Sequence, residues 1–213
     1  IKSLKNENKR ELSPLFGKID TNSIAVGGFS KGGGGAQLVP SLYPNIKAII
    51  SLYPWLENPT FSDLNHNVPL MIISGQLDAI APPLIHADVH YNLTPNSTSK
   101  LKYEIAFASH DALSGPYAGG GEAGVRVFSW LQTFLLNDSC YCPIVLLNAS
   151  SASSYMTNIE CNNINLNTLT LNANSYKKIS KKINLLGEKT HHTNQPLIYI
   201  YDDGTIEKRF IIE

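Results

Sequence analysis

The chain has 213 residues, with 17 Lys and Arg balanced by 17 Asp and Glu. That length suits one domain plus a small appendage, and the balance gives no general attraction to nucleic acid or to an anionic membrane. No apolar run approaches the roughly 20 residues of a membrane span, and the one basic cluster, Lys177-Lys178 with Lys181-Lys182, reads as a solvated face.

Residues 2–11 read as a polar helix, and residues 15–20 lead into a short apolar run at 24–26. Gly28-Phe29-Ser30-Lys31-Gly32 follows, then Gly33-Gly34-Gly35 and a helix-compatible segment at 36–43. Strand, Gly-x-Ser-x-Gly and helix in that order make a nucleophile elbow, a turn so tight that the serine hydroxyl stands exposed above the sheet. Gly28 and Gly32, two before and two after Ser30, are expected to lack bulk for that reason. A phosphate loop needs Gly-Lys-Ser/Thr, but here Lys31 is followed by Gly32. No Gly-x-Gly-x-x-Gly opens here with an acidic residue about 20 positions on. Nucleotide binding is therefore set aside.

A nucleophilic serine needs a base, and the base needs an acid to orient it. Three further apolar runs, at 47–52, 69–74 and 101–107, read as parallel strands buried on both faces. Tyr53-Pro54-Trp55 leaves the first, Gly75-Gln76-Leu77-Asp78 the second and Ala108-Ser109-His110 the third. Ser30, Trp55, Asp78 and His110 are thus expected above one edge of one sheet, where open α/β sheets place their sites. Asp63 falls in a loop before its strand, Asp88 inside a helix, and Asp111 abuts His110, so each fits the acid's role less well. His86 and His90 stand one helical turn apart, either a metal pair lacking an evident third ligand or the exposed face of the helix after Pro83.

Residues 115–121 form a glycine-rich loop around Tyr117. Val127, Trp130, Leu131, Phe134 and Leu135 make one stripe of an amphipathic helix over 122–137, with Trp130 expected in the core. Cys140, Cys142 and Cys161 suggest a disulfide whose connectivity spacing leaves open, and Cys-x-x-Cys zinc spacing is lacking. Residues 149–174 are rich in Ser, Thr and Asn and read as a boundary and linker. Short strands follow at 169–171, 183–187 and 197–201, and Asp203-Gly204 signals a hairpin into 205–210.

The blocks Gly28 to Gly35, Tyr53-Pro54-Trp55, Asp78-Ala79-Ile80-Ala81-Pro82 and Ala108-Ser109-His110 resemble those of bacterial cutinases and polyester (PET) hydrolases. That group lies within the dienelactone-hydrolase-like part of the α/β-hydrolases, and the resemblance runs over residues 8–161. It implies Ser30 as nucleophile, His110 as base, Asp78 as its orienter and the Lys31 backbone N–H as an oxyanion donor. Trp55 and Ile80 would line an acyl or aromatic subsite, and Cys142–Cys161 would be the bridge, with Cys140–Cys161 the alternative. Two departures stand out: Lys31, where the family has Met or Gln, and Asp111, where it has a small or aromatic residue. The tail resembles the carboxyl-terminal sorting domain of type IX secretion cargo, on the Ile183-Asn184-Leu185-Leu186-Gly187 strand, the hairpin and the terminal Lys208-Arg209-Phe210-Ile211-Ile212; an accessory β-module is the alternative.

The expectation is an α/β chain holding the carboxyl-terminal half of a mostly parallel α/β-hydrolase sheet (1–148), a linker (149–165) and a β-sandwich-like sorting domain (166–213). A second oxyanion donor and an aromatic partner for Trp55 are expected upstream, so that this chain alone would be inactive and prone to aggregate. The expected function is that of a secreted or cell-surface serine hydrolase of carboxylic esters, including polyesters such as cutin or PET. It would use no cofactor or metal, have the secretion machinery as a partner, and be a monomer when complete. A short-chain or lipid carboxylesterase, and a non-catalytic surface-binding module, are the alternatives.

Overall fold

A computed structural model describes residues 1–112, 121–147, 149–161, 179–184, 189–190, 196–202 and 206–210. The chain divides into two compact units, Ile1–Ile164 and Asn165–Glu213.

The first unit opens with α1 (Lys2–Glu7), shorter than the expected helix over 2–11. Asn8 stops it. The Asn8 side chain donates to the Ile19 carbonyl at 3.1 Å and accepts from the Ile19 N–H at 2.9 Å, and its own carbonyl accepts from Gly17 N–H.

Four strands then pair as parallel neighbours in chain order: β1 (Ala25–Phe29), β2 (Ala48–Leu52), β3 (Leu70–Gly75) and β4 (Lys100–Ile105). β3 is buried along its whole length and β2 and β4 nearly so, as strands covered on both faces must be. β1, for which no such burial was expected, lies at the sheet's edge and is partly exposed. Alternate side chains divide between the faces. Ala48, Ile50, Met71, Ile73, Leu101 and Tyr103 cluster with Trp130 and Val145, whereas Ile49, Leu70 and Ile72 cluster with Ala36, Ala87 and Tyr91. α2 (Lys31–Leu42) and α3 (Ala87–Leu93) therefore cover one face, and α4 (Glu122–Trp130) and α5 (Cys142–Val145) the other. Each fully buried aliphatic side chain of this kind contributes about 1.5–3 kcal/mol.

The apolar stripe expected over 122–137 does face the core, but α4 ends at Trp130 and a π turn covers Leu131–Leu135. Its wider ring is closed by the Leu136 N–H on the Leu131 carbonyl at 3.1 Å. Residues expected to be linker hold a fifth strand, β5 (Ala152–Thr157), antiparallel to β4. Buried Arg126 anchors this corner, donating to the Val145 and Leu147 carbonyls at 2.7 Å each while lying over the Tyr103 and Tyr155 rings. Glu122 accepts from the N–H and hydroxyl of both Ser150 and Ser151. Burial works against its ionisation, yet those donors pull its carboxyl down to about 2.

The second unit holds a three-stranded antiparallel sheet: β6 (Ile179–Asn184), β7 (Pro196–Tyr201) and β8 (Ile206–Phe210), in that order. Leu197 and Tyr199 of β7 are buried while Ile198 and Ile200 are less so, a period-2 alternation. Ile200 lies opposite Ile206, the pairing expected of a hairpin. The turn signal Asp203-Gly204, the strand at 169–171, the linker beyond Cys161 up to 174, residues 185–187, Lys177-Lys178, Ile211-Ile212 and Tyr117 lie outside the described residues.

Cys142 and Cys161 are bonded, 19 residues apart, and Cys140 is free and exposed. Closing a loop of that length constrains the unfolded chain by about 3 kcal/mol. The double variant Cys142→Ser, Cys161→Ser should lose stability of that order in urea unfolding, whereas Cys140→Ser should lose little.

A buried polar chain ties α2 to the sheet and to α3. Gln37 Nε2 donates to Ser51 Oγ at 2.7 Å and lies 3.1 Å from His90 Nδ1, and Ser51 donates to the Gly33 carbonyl at 2.8 Å. Burial, then the neighbouring His86, pushes the His90 imidazole down from 6.5 to about 4. The unfolded chain takes up this proton near the ordinary value and the native chain only near the lowered one. The contribution is therefore whole above about pH 6.5 and is lost as pH falls toward about 4, on the order of 3 kcal/mol. Unfolding free energy should drop between about pH 7.5 and 4.5, and His90→Gln should shrink that drop; an equal drop in both proteins would remove His90 as its source.

Candidate active site

Ser30 sits between β1 and α2 with φ 54° and ψ −121°, a left-handed conformation that few side-chain-bearing residues adopt. Its carbonyl accepts from Gly34 N–H and from Trp55 N–H, both at 3.0 Å. A β-carbon at Gly28 would collide with the Gly32 carbonyl, but one at Gly32 would meet nothing within 4 Å. Only the first half of the expected glycine requirement is thus steric. The glycines that matter after the serine are Gly33, whose β-carbon would lie 2.6 Å from the Leu52 carbonyl, and Gly34, where it would strike the Trp55 carbonyl and the Leu56 side chain. They let the chain leaving β2 lie directly on the first turn of α2.

Asp78 follows β3 and is only 3 % exposed. Its Oδ1 accepts from the N–H groups of Ile80 and Ala81 at 2.8 Å each, and its Oδ2 lies 2.7 Å from His110 Nδ1. An ionised carboxylate only accepts, so Nδ1 carries the proton, and Nε2 offers its lone pair to Ser30 Oγ at 3.1 Å. His110 is 7 % exposed. The turn before it is fastened to the one before Asp78: Gln76 N–H donates to Ile105 O, Leu77 N–H to Ala108 O, and Phe107 N–H to Gln76 Oε1 at 3.0 Å. Such an arrangement can draw the proton from the serine hydroxyl and hold the resulting imidazolium against a fixed anion.

The sequence reading had no place for the aromatic walls of the histidine. The rings of Phe29 and Tyr53 lie 4.9 and 5.7 Å from that of His110, the second edge to face. Tyr53 is fully buried with φ 47°. Burial first, then the charge of Asp78, pushes its phenol up to about 12. Its position at the carboxyl end of β2 was the available signal, since that edge gathers every other member of the site.

Trp55 lines a cavity of about 600 Å³ together with Leu56, Ile85, His86 and Val89. Its ring lies 5.8 Å from that of His86, and Lys31 Nζ stands 5.1 Å over it. Ile80, 61 % exposed, stands beside Asp78 and does not line that cavity. The rival carboxylates are placed elsewhere: Asp63 accepts from Thr60, Asp88 pairs with buried Lys102, and Asp111 is exposed. His86 and His90 do not form an exposed helix face, being 8 % and 0 % exposed. They turn inward against Trp55 and Gln37, and among the described residues no group of three or more His, Cys, Asp or Glu could hold a metal.

Residues 1–163 match the family model described as PET hydrolase-like. The chain belongs to the PET hydrolase-like family. Among curated relatives of this PET hydrolase-like chain, Cutinase 2 of Thermobifida cellulosilytica is 40 % identical over 129 residues, covering 61 % of the chain and 47 % of the relative. Cutinase cut1 of Thermobifida fusca is likewise 40 % identical, over 61 % of the chain and 39 % of its own length. A bis(hydroxyethyl) terephthalate hydrolase of Streptomyces coelicolor is 29 % identical over 62 % of the chain and 42 % of its own length. The chain thus spans less than half the length of these relatives. The family agrees with the resemblance carried by the Gly28, Tyr53, Asp78 and His110 blocks.

The steric asymmetry of the elbow is testable. Gly28→Ala should prevent the turn from closing and abolish soluble expression or ester turnover, whereas Gly32→Ala should fold with a melting temperature within a few degrees of the parent. Equal damage from both would show that the turn is tighter than its carbonyl positions indicate.

Proposed function

We propose that this is a secreted serine hydrolase of carboxylic esters, polyesters among them. The observation that carries the reading is the unbroken hydrogen-bond line Asp78–His110–Ser30, with the imidazole tautomer set by the carboxylate. Ser30 Oγ attacks the ester carbonyl while His110 Nε2 takes its proton. The tetrahedral oxyanion is held by the Lys31 backbone N–H, one of the free donors at the start of α2. His110 then returns the proton to the departing alcohol, and water, activated the same way, releases the acid from Ser30. Each oxyanion donor is worth about 10²–10³ in kcat. No cofactor or metal enters these steps.

An extended apolar substrate is favoured over a short-chain ester by the exposed apolar side chains at this end of the sheet: Phe29, Leu77, Ile80 and Phe107. Trp55 and Ile80 serve as its contacts on either side of the site. Secretion accords with the disulfide, a bond kept in oxidising compartments, and the tail is read as the sorting signal that the secretion machinery takes up. The protein is read as acting as a monomer.

Ser30→Ala should lower p-nitrophenyl butyrate turnover about 10⁶-fold and remove labelling by a fluorophosphonate probe in intact-mass spectra. Asp78→Asn should cost about 10⁴ in kcat by favouring the wrong tautomer of His110. Retained turnover or labelling in the first variant, or equal damage from Asp111→Asn, would overturn the assignment. Release of soluble aromatic acid from an amorphous polyester film separates a polyesterase from an enzyme confined to short esters.

A further inference from the structure

The residue after Ser30 is a lysine. Lys31 is exposed, its ammonium stands 5.1 Å over the Trp55 ring, and among the described residues no carboxylate pairs with it. The indole face holds the ammonium in place without neutralising it. α2 runs for 12 residues from this point, so its positive end adds to the same field. Trp55 is bound to the elbow through its N–H on the Ser30 carbonyl at 3.0 Å, which keeps the indole under this cation beside the nucleophile's own turn. The opposing charges to weigh against it are Glu57, exposed where it lines the same cavity as Trp55, and Asp111, exposed next to His110.

We infer that Lys31 and the Trp55 ring form a subsite for a free carboxylate on the substrate, directing the site toward half-esters of dicarboxylic acids. The inference rests on the serine-hydrolase reading and names the substrate class of the same site. It also gives a place in a reaction sequence. Hydrolysis inside a polyester adds water across one ester bond, and leaves an alcohol on one piece and an ionised carboxylic acid on the other. The new acid end lies one diacid unit from the next ester. A site that holds the acid at Lys31 therefore presents that ester to Ser30, so chain ends made by earlier cuts become the preferred substrates. The same contact makes the released diacid a product inhibitor.

The test separates binding from turnover. Trp55 fluorescence is titrated with benzoate and with uncharged benzyl alcohol, Trp130 being a buried constant background. The ratio of the two dissociation constants should favour benzoate, fall about fivefold in Lys31→Met and Lys31→Gln, and survive in Lys31→Arg, as expected for an exposed ion pair. It should also collapse between about 0.02 and 0.5 M NaCl. The kcat/KM ratio for p-nitrophenyl hemisuccinate over p-nitrophenyl butyrate should move in parallel. A ratio indifferent to Lys31 or to salt, or no benzoate binding at all, overturns the subsite even if ester hydrolysis is intact. Lys31-dependent benzoate binding without any ester turnover keeps the subsite and overturns the hydrolase reading instead.

Discussion

The carbonyl of Ser30 is the point on which the site depends. It accepts one N–H from the first turn of α2 and another from Trp55, so nucleophile, helix and the loop after β2 are joined by two backbone bonds rather than by side-chain packing. Backbone groups buried at such a junction must be paired, and this pairing is reachable only because Gly33 and Gly34 carry no β-carbon. The left-handed Ser30 backbone is held by the same two bonds. Strain of this kind, about 1–3 kcal/mol for a non-glycine residue, persists only where the surroundings over-determine it.

Behind this junction a buried polar line runs through the apolar packing of α2 and α3 on the sheet. Gln37, Ser51, the Gly33 carbonyl and His90 connect α2, β2 and α3 in one buried line. It is not fully satisfied: Gln37 Oε1 and His90 Nε2 are buried without a protein partner. Two lysines of β4 are buried on the same terms. Lys100 ends on the Tyr91 and Thr94 carbonyls at 2.8 and 2.6 Å, closing the carboxyl end of α3, and Lys102 ends on Asp88. Each would be a costly desolvated charge without those partners, and each fixes α3 to the strand it crosses.

Much of this was legible in the sequence because strand ends announce themselves. The apolar runs that became β2, β3 and β4 stop abruptly at Tyr53, at Gln76 and near Phe107, and in a parallel sheet every such stop falls on the same edge. That placed Ser30, Asp78 and His110 near one another without any knowledge of distances. What escaped were features made by contact between segments remote in sequence. β5 is Ala-Ser-Ser-Tyr-Met-Thr, a composition that reads as linker, and it is a strand through its backbone pairing with β4, with Glu122 and Tyr103 tying down Ser151 just before it and Arg126 over the Tyr155 ring. The inward turn of His86 and His90 depends on Trp55 and Gln37, more than 30 positions away. The open space at Gly32 could not be told from the crowding at Gly33 by residue type alone.

β5 also decides what the far side of the sheet shows to other chains. Without it, β4, with its apolar run, would be the edge, and its unpaired N–H and C=O groups would be a template for another strand. β5 takes those bonds and in turn presents a short strand carrying Ser153, Ser154 and Thr157, with the register broken between Glu104 and Ile105. A polar, shifted edge is a poor match for an incoming strand. The stretch that looks least structured in the sequence is thus the one that keeps this side of the molecule from recruiting its own copies.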